Sequence, residues 1–235
     1  MEYFYTPPGN VSTSSLVIVD EEFNHLTHVM RKKVGDRTTV VDGIGHAYEV
    51  TLETIGKHTA TCDIHSVRNR LNEPDVNLIL AVAILKHTAN YDFLVEKCTE
   101  LGVNKIIPMT TQRTITQHAR TDRWQKLALA AMKQSGRCVL PRIESLVTFD
   151  EVLQHAAVDT LKLIPHEQIS TPHLANIARS NTSNILICIG PEGGFTEVEI
   201  LNATAAGFQP VSLGRRRLRT ETAAITAASM TTSAS

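Results

Sequence analysis

The sequence lacks the features that would direct it across or into a membrane. Its 235 residues contain no apolar run approaching the ~20 residues that a membrane-spanning helix needs. The first ten residues have neither the basic nor the apolar stretch of a secretory signal. The cysteines are too widely spaced to predict a disulfide framework or a zinc site; the four are Cys62, Cys98, Cys138 and Cys188. We therefore expect a cytoplasmic protein with no metal ion.

The chain also lacks a strong excess of charge, since 23 basic residues face 24 acidic ones. This balance hides an uneven distribution, because residues 104–142 hold eight basic residues and a single acidic one. A polyanion can therefore meet a locally basic surface despite the neutral total. Basic helix faces are common, so charge alone does not identify a nucleic-acid-binding protein.

Several common motifs of catalysis and nucleotide binding are missing as well. The sequence contains no G-x-G-x-x-G fingerprint, no G-x-x-x-x-G-K-[ST] loop, no G-x-S-x-G elbow and no H-E-x-x-H helix. The missing fingerprint disfavours a dinucleotide-dependent oxidoreductase, which would also need an acidic partner for the ribose.

The hydrophobic rhythm divides the chain near residue 74. Before that point, short apolar segments with period-two alternation predict a small β-barrel, with one helix after Asp20 as its N-cap. After the polar segment 68–75, buried strands alternate with helices, which predicts a parallel α/β sheet. Ligands of such sheets bind beyond the carboxyl ends of the strands. The loops after Ile164, Ile189 and Leu213 are therefore where we expect the chemistry.

The most informative of these loops is Gly190-Pro191-Glu192-Gly193-Gly194-Phe195. Its glycines permit positive φ and let a ligand approach the backbone, while Pro191 stiffens the turn. Thr196 followed by Glu199 predicts a capping box that opens the next helix. A tight strand-to-helix turn without a ligand is the plain alternative, but three glycines and a carboxylate favour binding.

The second loop places four arginines between a strand and a helix, in the segment Gly214-Arg215-Arg216-Arg217-Leu218-Arg219-Thr220. Thr220 is the predicted N-cap, and the backbone N–H groups at that helix start suit a carboxylate or an adenine edge. The arginines suit phosphates or a ligand carboxylate. A solvated loop is the alternative.

Two motifs together resemble a known family. IGPEGGFTEVEI (189–200) followed by SLGRRRLRTETAAITA (212–227) is similar to the paired C-terminal motifs of the ribosomal RNA small subunit methyltransferase E family, the 16S rRNA uridine N3-methyltransferases of the SPOUT class. FNHLTHVMRKKVGD, VVDGIG, FLVEKCTELGVNKIIPMTTQRT and KQSGRCVLPRI resemble the rest of that family's pattern. Arg217 departs from it, because the family usually has an aliphatic residue there.

The resemblance implies a PUA-like, RNA-binding β-barrel over residues 1–73 and a SPOUT methyltransferase domain over residues 74–235. The C-terminal part of that domain would be threaded into a trefoil knot that binds S-adenosylmethionine, and two such domains would pair as a homodimer. The RNA partner would be 16S rRNA or the small ribosomal subunit. The resemblance implies no membrane among the partners. The residues expected to bind the cofactor are Leu163, Gly190, Glu192, Gly194, Leu213, Gly214, Leu218 and Thr220.

The chemistry requires the loss of the uridine N3 proton and stabilisation of the negative charge that develops on the uracil oxygens. Arg219 is the predicted electrostatic partner, while Glu192 and Glu221 are both available as a base or as ligands of the cofactor amine. The residues predicted to bind RNA phosphates are Arg31, Lys32, Lys33, Arg113 and Arg137. Two other hypotheses are a SPOUT methyltransferase acting on another RNA position or atom, and a non-catalytic ribosome-assembly factor.

Overall fold

The computed structural model describes residues 3–116, 118–155, 157–166, 171–177 and 183–233. The chain divides into two units, the first formed by Met1–Glu73 with Leu129–Leu140 and the second by Pro74–Ala128 with Pro141–Ser235. In the part of the chain described, no helix is both long enough and apolar enough to cross a membrane.

The first unit is built on a five-stranded sheet of order β1-β3-β4-β5-β2, antiparallel except for the β1–β3 pair. Its elements are β1 Tyr3–Tyr5, a 3-10 turn Pro8–Asn10, β2 Ser15–Val19, α1 Asp20–Asn24, a π-helical turn His25–Val29, β3 Arg37–Val41, β4 His46–Ile55 and β5 Thr59–Asn69. The hydroxyl of buried Thr6, just after β1, donates to the Val17 carbonyl of β2 at 2.5 Å. This bond links the two edges, so the sheet curls into the barrel-like form predicted.

Alternation along β4 positions the core of this unit. Tyr48, Val50 and Leu52 are buried in one cluster with residues of the other strands, including Phe4 and Ile18. Side chains two residues apart on a strand share a face, so these three residues lie on the same side of β4. Ala47, on the opposite face, is buried in a second cluster with Cys138 and Met132.

The helix after β2 differs from its prediction in one respect. Asp20 is not the N-cap, because Val19 occupies that position and no side chain caps the helix. Asp20 is instead the first residue of α1, with a positive φ of 53°, a conformation that aspartate tolerates better than most residues. Phe23 and Leu26 are nevertheless both buried in the core of this unit.

The structure contradicts the prediction that Arg137 binds RNA phosphates. Arg137 is 1% exposed, and its Nη2 donates to Glu73 Oε2 at 2.6 Å. The same carboxylate accepts the backbone N–H groups of Cys138 and Val139, each at 2.9 Å. A buried guanidinium needs a buried partner, and Glu73 supplies it. Val139 also forms isolated bridges to Gly43 and Ile44.

The second unit contains the predicted parallel sheet, in the order β12-β10-β11-β6-β7-β8, with β9 also paired to β7. Its elements are β6 Asn77–Ala83, α2 Thr88–Glu100, β7 Lys105–Thr110, α3 Thr121–Ser135, β8 Arg142–Ile143, β9 Val147–Thr148, α4 Phe149–His155, β10 Leu161–Pro165, α5 Leu174–Ile177, β11 Asn184–Ile189, α6 Glu197–Ala205, β12 Gln209–Val211 and α7 Thr220–Thr232. Residues of α3 from Leu129 onward belong to the first unit.

Helices cover this sheet on both faces, as the nearly continuous apolar run of β6 predicts. Ala81 and Ala83 pack in one cluster with Phe149 of α4 and Ala203 of α6. On the other side α7 contacts β6, β11 and α2. The strand order leaves β10, β11 and β12 adjacent, so the loops that follow them lie at one edge of the sheet.

Candidate active site

A cavity of about 440 Å³ lies at the carboxyl ends of β10, β11 and β12. Its walls come from the loops that follow these three strands, together with one residue from the loop after β7 and the first turn of α7. The lining residues are Arg113, Pro165, His166, Ile189, Gly190, Pro191, Glu192, Gly193, Gly194, Phe195, Ser212, Leu213, Gly214, Arg216, Arg217, Leu218, Thr220 and Ala223. The sequence therefore predicted the correct edge of the sheet.

The glycine loop, residues 190–195, follows β11 and needs glycine for two different reasons. Gly194 has a φ of +69°, and its N–H donates to the Pro191 carbonyl at 2.8 Å, closing a tight turn. A Cβ added at Gly190 would lie 3.0 Å from the Phe195 ring, closer than ordinary packing permits. Phe195 is itself buried and stacks obliquely on Phe149, with the ring centroids 4.9 Å apart. The loop is thus anchored to the core by its last residue.

The predicted capping box at the start of α6 is confirmed. Thr196 Oγ1 accepts the Glu199 N–H at 3.2 Å, while Glu199 Oε2 accepts the Thr196 N–H at 2.7 Å. Glu199 is only 5% exposed, and its second oxygen, Oε1, accepts the Gln112 N–H at 2.8 Å. The carboxylate therefore joins the helix start to the loop that follows β7.

Arg113, on that same loop, contacts the glycine loop directly. Its Nη1 donates to the Gly193 carbonyl at 2.6 Å and, more weakly, to the Phe195 carbonyl at 3.4 Å. A Cβ at Gly193 would lie 3.3 Å from Arg113 Cδ, so the absence of a side chain lets the arginine stem approach. The sequence predicts phosphate binding for Arg113 and contains no pattern that indicates its contact with the cavity wall.

The arginine loop, residues 214–219, also lines the cavity. Gly214 has a φ of +121° and donates its N–H to Ser212 Oγ at 3.1 Å. Arg217, the residue that departs from the family pattern, donates from Nη2 to the Glu192 carbonyl at 3.4 Å. The arginine loop and the glycine loop are thus in contact through an arginine side chain and a backbone oxygen.

The start of α7 is shifted by one residue from its prediction. Arg219 is the N-cap, without a capping side chain, and Thr220 is the first helical residue and is buried. Thr220 and Leu218 line the cavity, whereas Arg219 has an exposed side chain and is not among the lining residues. Because no side chain caps this helix, its first backbone N–H groups are not occupied by a local side-chain acceptor.

The two candidate carboxylates lie in different surroundings. Glu192 lines the cavity, and its Oε1 accepts the Lys86 N–H at 3.2 Å. Glu221 instead accepts a hydrogen bond from the Asn90 side chain of α2 at 3.2 Å and is absent from the lining residues. The geometry therefore favours Glu192 as the carboxylate that faces a bound ligand.

The rim contributed by β10 also differs from the prediction. Leu163 is fully buried within the strand and does not line the cavity, while Pro165 and His166 do. The remaining predicted cofactor residues all line it: Gly190, Glu192, Gly194, Leu213, Gly214, Leu218 and Thr220. The four cysteines are buried, and burial raises the pKa of the Cys98 and Cys188 thiols. They are neutral core residues and not nucleophiles.

Comparison with known proteins agrees with this architecture. Residues 72–232 match the model of an RNA methyltransferase domain, and residues 18–64 match that of an RNA methyltransferase PUA domain. The fold and the site therefore define an RNA methyltransferase with an N-terminal PUA domain.

The particular family follows from the relatives. A ribosomal RNA small subunit methyltransferase E from Synechocystis sp. is 33% identical over 221 residues, covering 92% of this chain and 72% of the relative. The chain belongs to the ribosomal RNA small subunit methyltransferase E family. The resemblance inferred from the two C-terminal motifs is thus confirmed.

Solved structures extend the match to the whole fold. The crystal structure of a ribosomal RNA small subunit methyltransferase E from Neisseria gonorrhoeae, bound to S-adenosyl methionine, is 35% identical with a TM-score of 0.87. The matched region covers 97% of this chain and 95% of the Neisseria gonorrhoeae chain. A methyltransferase structure from Legionella pneumophila, in complex with the same cofactor, is 31% identical with a TM-score of 0.84, over 99% of this chain and 97% of that chain.

Proposed function

We propose that this protein transfers the methyl group of S-adenosylmethionine to N3 of a specific uridine in the 16S rRNA of the small ribosomal subunit. The observation that carries the proposal is the cavity at the carboxyl ends of β10, β11 and β12, in a chain of this family. Its size lies within the ~300–1,000 Å³ typical of ligand pockets.

The lining residues fit this cofactor. At Gly194 and Gly214 nothing lies within 4 Å of the position that a Cβ would take, so a ligand can approach the bare backbone there. The uncapped first turn of α7, at Thr220, offers backbone N–H donors to the cofactor's polar edges. When bound, the cofactor supplies an electrophilic methyl group, and the chain's residues orient it and exclude water.

Transfer to N3 needs a base and a positive environment. Glu192 is the carboxylate in the cavity wall, available to accept the N3 proton or to hold the cofactor amine. Arg216 and Arg217 line the cavity, and their positive charges stabilise the negative charge that develops on the uracil oxygens. Arg219 stays in the proposal as an electrostatic partner, because its exposed side chain lies between Leu218 and Thr220, which both line the cavity.

The RNA is held, in this proposal, by the barrel of residues 1–73 and by the rim of the methyltransferase domain of residues 74–235. Arg31 and Lys33 are exposed on the barrel, and Lys32 donates from Nζ to the Arg37 carbonyl at 3.3 Å. Arg113 is the corresponding cation beside the cavity. Replacing Arg31 with alanine should weaken RNA binding and reduce its salt dependence, because each phosphate contact releases counterions.

Three further features belong to the proposal on family resemblance. The segment from β10 to α7 forms a trefoil knot around the cofactor, and two chains pair through this domain as a homodimer. The protein acts in the cytoplasm, where its ribosomal substrate is assembled.

The proposal is tested by methyl transfer from labelled S-adenosylmethionine to small subunits that lack the modification, with naked 16S rRNA in parallel. We expect label in the RNA with the wild-type protein and none with Gly194→Val. Label that maps to another RNA atom would support the alternative methyltransferase. An absence of label together with an absence of cofactor binding would favour a non-catalytic assembly factor.

A further inference from the structure

One side chain connects the exposed rim of the cavity with the cavity wall. Arg113 donates from Nη1 to the Gly193 carbonyl at 2.6 Å, while its aliphatic stem covers the bare backbone of Gly193. The neighbouring Gln112 N–H is bound by Glu199 at 2.8 Å. The loop after β7 is therefore fastened at two adjacent residues, by Gln112 to the start of α6 and by Arg113 to the glycine loop.

This attachment uses only part of the Arg113 guanidinium. A guanidinium carries five N–H donors in a planar fork. With the residues that the structure describes, Arg113 makes its hydrogen bonds through Nη1, and its side chain is exposed. Nε and Nη2 are thus free of described protein acceptors and open to an external anion. A phosphate bound there would find the fork already oriented by Nη1.

We propose that Arg113 is a positioning residue that couples the two substrates, holding the glycine loop through Nη1 and an RNA phosphate through Nε and Nη2. The proposal rests on the proposed function, since it takes the cavity as the cofactor site and RNA as the second substrate. An RNA phosphate fixes the arginine in the orientation that supports Gly193. Bound RNA therefore lowers the free-energy cost of ordering the loop around the cofactor, and bound cofactor favours RNA in the same way.

The coupling between RNA binding and cofactor binding must be reciprocal. If RNA raises cofactor affinity by some factor, the cofactor must raise RNA affinity by the same factor. Coupling between sites typically begins at about fivefold. We expect at least that much for the wild-type protein, because one side chain contacts both the glycine loop and, in the proposal, the RNA phosphate.

The experiment measures the dissociation constant of labelled S-adenosylhomocysteine, which cannot react, by equilibrium dialysis with and without saturating small ribosomal subunits. The variants are Arg113→Ala and, as a matched control, Arg120→Ala. Arg120 is an exposed arginine of the same loop that lies outside the cavity lining. We expect subunits to tighten binding at least fivefold in the wild type and in Arg120→Ala. In Arg113→Ala, binding without subunits should weaken and the tightening by subunits should vanish.

Two results would overturn the inference. One is an Arg113→Ala protein that binds the probe as tightly as the wild type; the other is one that keeps the full tightening by subunits. Both would leave the proposed function intact, provided that the wild type still methylates the subunits. A wild-type protein that neither binds the probe nor transfers methyl would instead refute the proposed function.

Discussion

Gly194 offers a stringent test of the cavity, because the chain contains a matched glycine elsewhere. Gly194 has a φ of +69° and Gly207, just after α6, has a φ of +87°. At both positions nothing lies within 4 Å of an added Cβ. An alanine at either site therefore meets the same backbone strain and no steric clash in the protein. Only Gly194 lines the cavity.

The expected losses of stability and of cofactor affinity follow from comparing the two glycines. A left-handed conformation costs a non-glycine residue roughly 1–2 kcal/mol, offset by up to about 1 kcal/mol from the stiffer unfolded chain. We expect Gly194→Ala and Gly207→Ala each to lower the free energy of unfolding by about 1 kcal/mol, which is about 2–4 °C in Tm for a chain of this size. Inside a filled site the added methyl group costs a further ~1–3 kcal/mol. Cofactor affinity should then fall about 5- to 150-fold in Gly194→Ala alone.

Isothermal titration of S-adenosylhomocysteine, with thermal unfolding in parallel, measures both quantities. Gly194→Val should lose detectable binding and remain folded. The reasoning is refuted if Gly194→Ala binds like Gly207→Ala, because the backbone at Gly194 would then not face the ligand. An equal loss of affinity in both variants would likewise show that strain, and not the cavity, controls binding.

Arg137→Ala strands the buried Glu73 carboxylate and should lower the free energy of unfolding by ~3–5 kcal/mol in urea denaturation; a loss below 1 kcal/mol contradicts the buried pair. Arg217→Ile removes the long hydrogen bond, 3.4 Å, from this exposed side chain to the Glu192 carbonyl. The cofactor affinity, measured by calorimetry, should therefore change less than about fivefold. Burial, the larger cause, and the neighbouring Asp42 carboxylate, the smaller one, raise the pKa of Tyr48 to about 12. The unfolded chain releases that proton first, so wild-type stability should fall between about pH 10 and 12, and this fall should be smaller in Tyr48→Phe.

The parts of the site that sequence patterns predicted are those fixed by local interactions. The Thr196–Glu199 capping box joins residues three positions apart, and the glycines at 190 and 194 are required by the turn that contains them. The edge of the sheet that carries the cavity also followed from the sequence. Parallel strands joined by helices place their carboxyl ends together, whatever the side chains.

Two of the wrong or incomplete predictions concern residues whose partners are far along the chain, and a third concerns a helix start. Arg137 stands in a basic stretch, and its partner Glu73 is 64 residues away, so charge counting assigned it to the surface. Arg113 meets Gly193 across 80 residues, which no local pattern records. The N-cap of α7 was misplaced by one residue because Arg219 occupies it without a side-chain bond. Capping preferences predict helix starts only when the cap bond is made.

The position of the transferred methyl group, proposed to be N3 of one uridine in small-subunit RNA, can be measured directly. The direct measurement is to treat subunits lacking the modification with the protein and S-adenosylmethionine, map reverse-transcriptase stops, and identify the modified nucleoside by mass spectrometry. N3 methylation blocks base pairing, so we expect a single new stop with 3-methyluridine at that position. A methylated nucleoside that gives no stop, such as a ribose 2′-methyl product, would contradict the proposal.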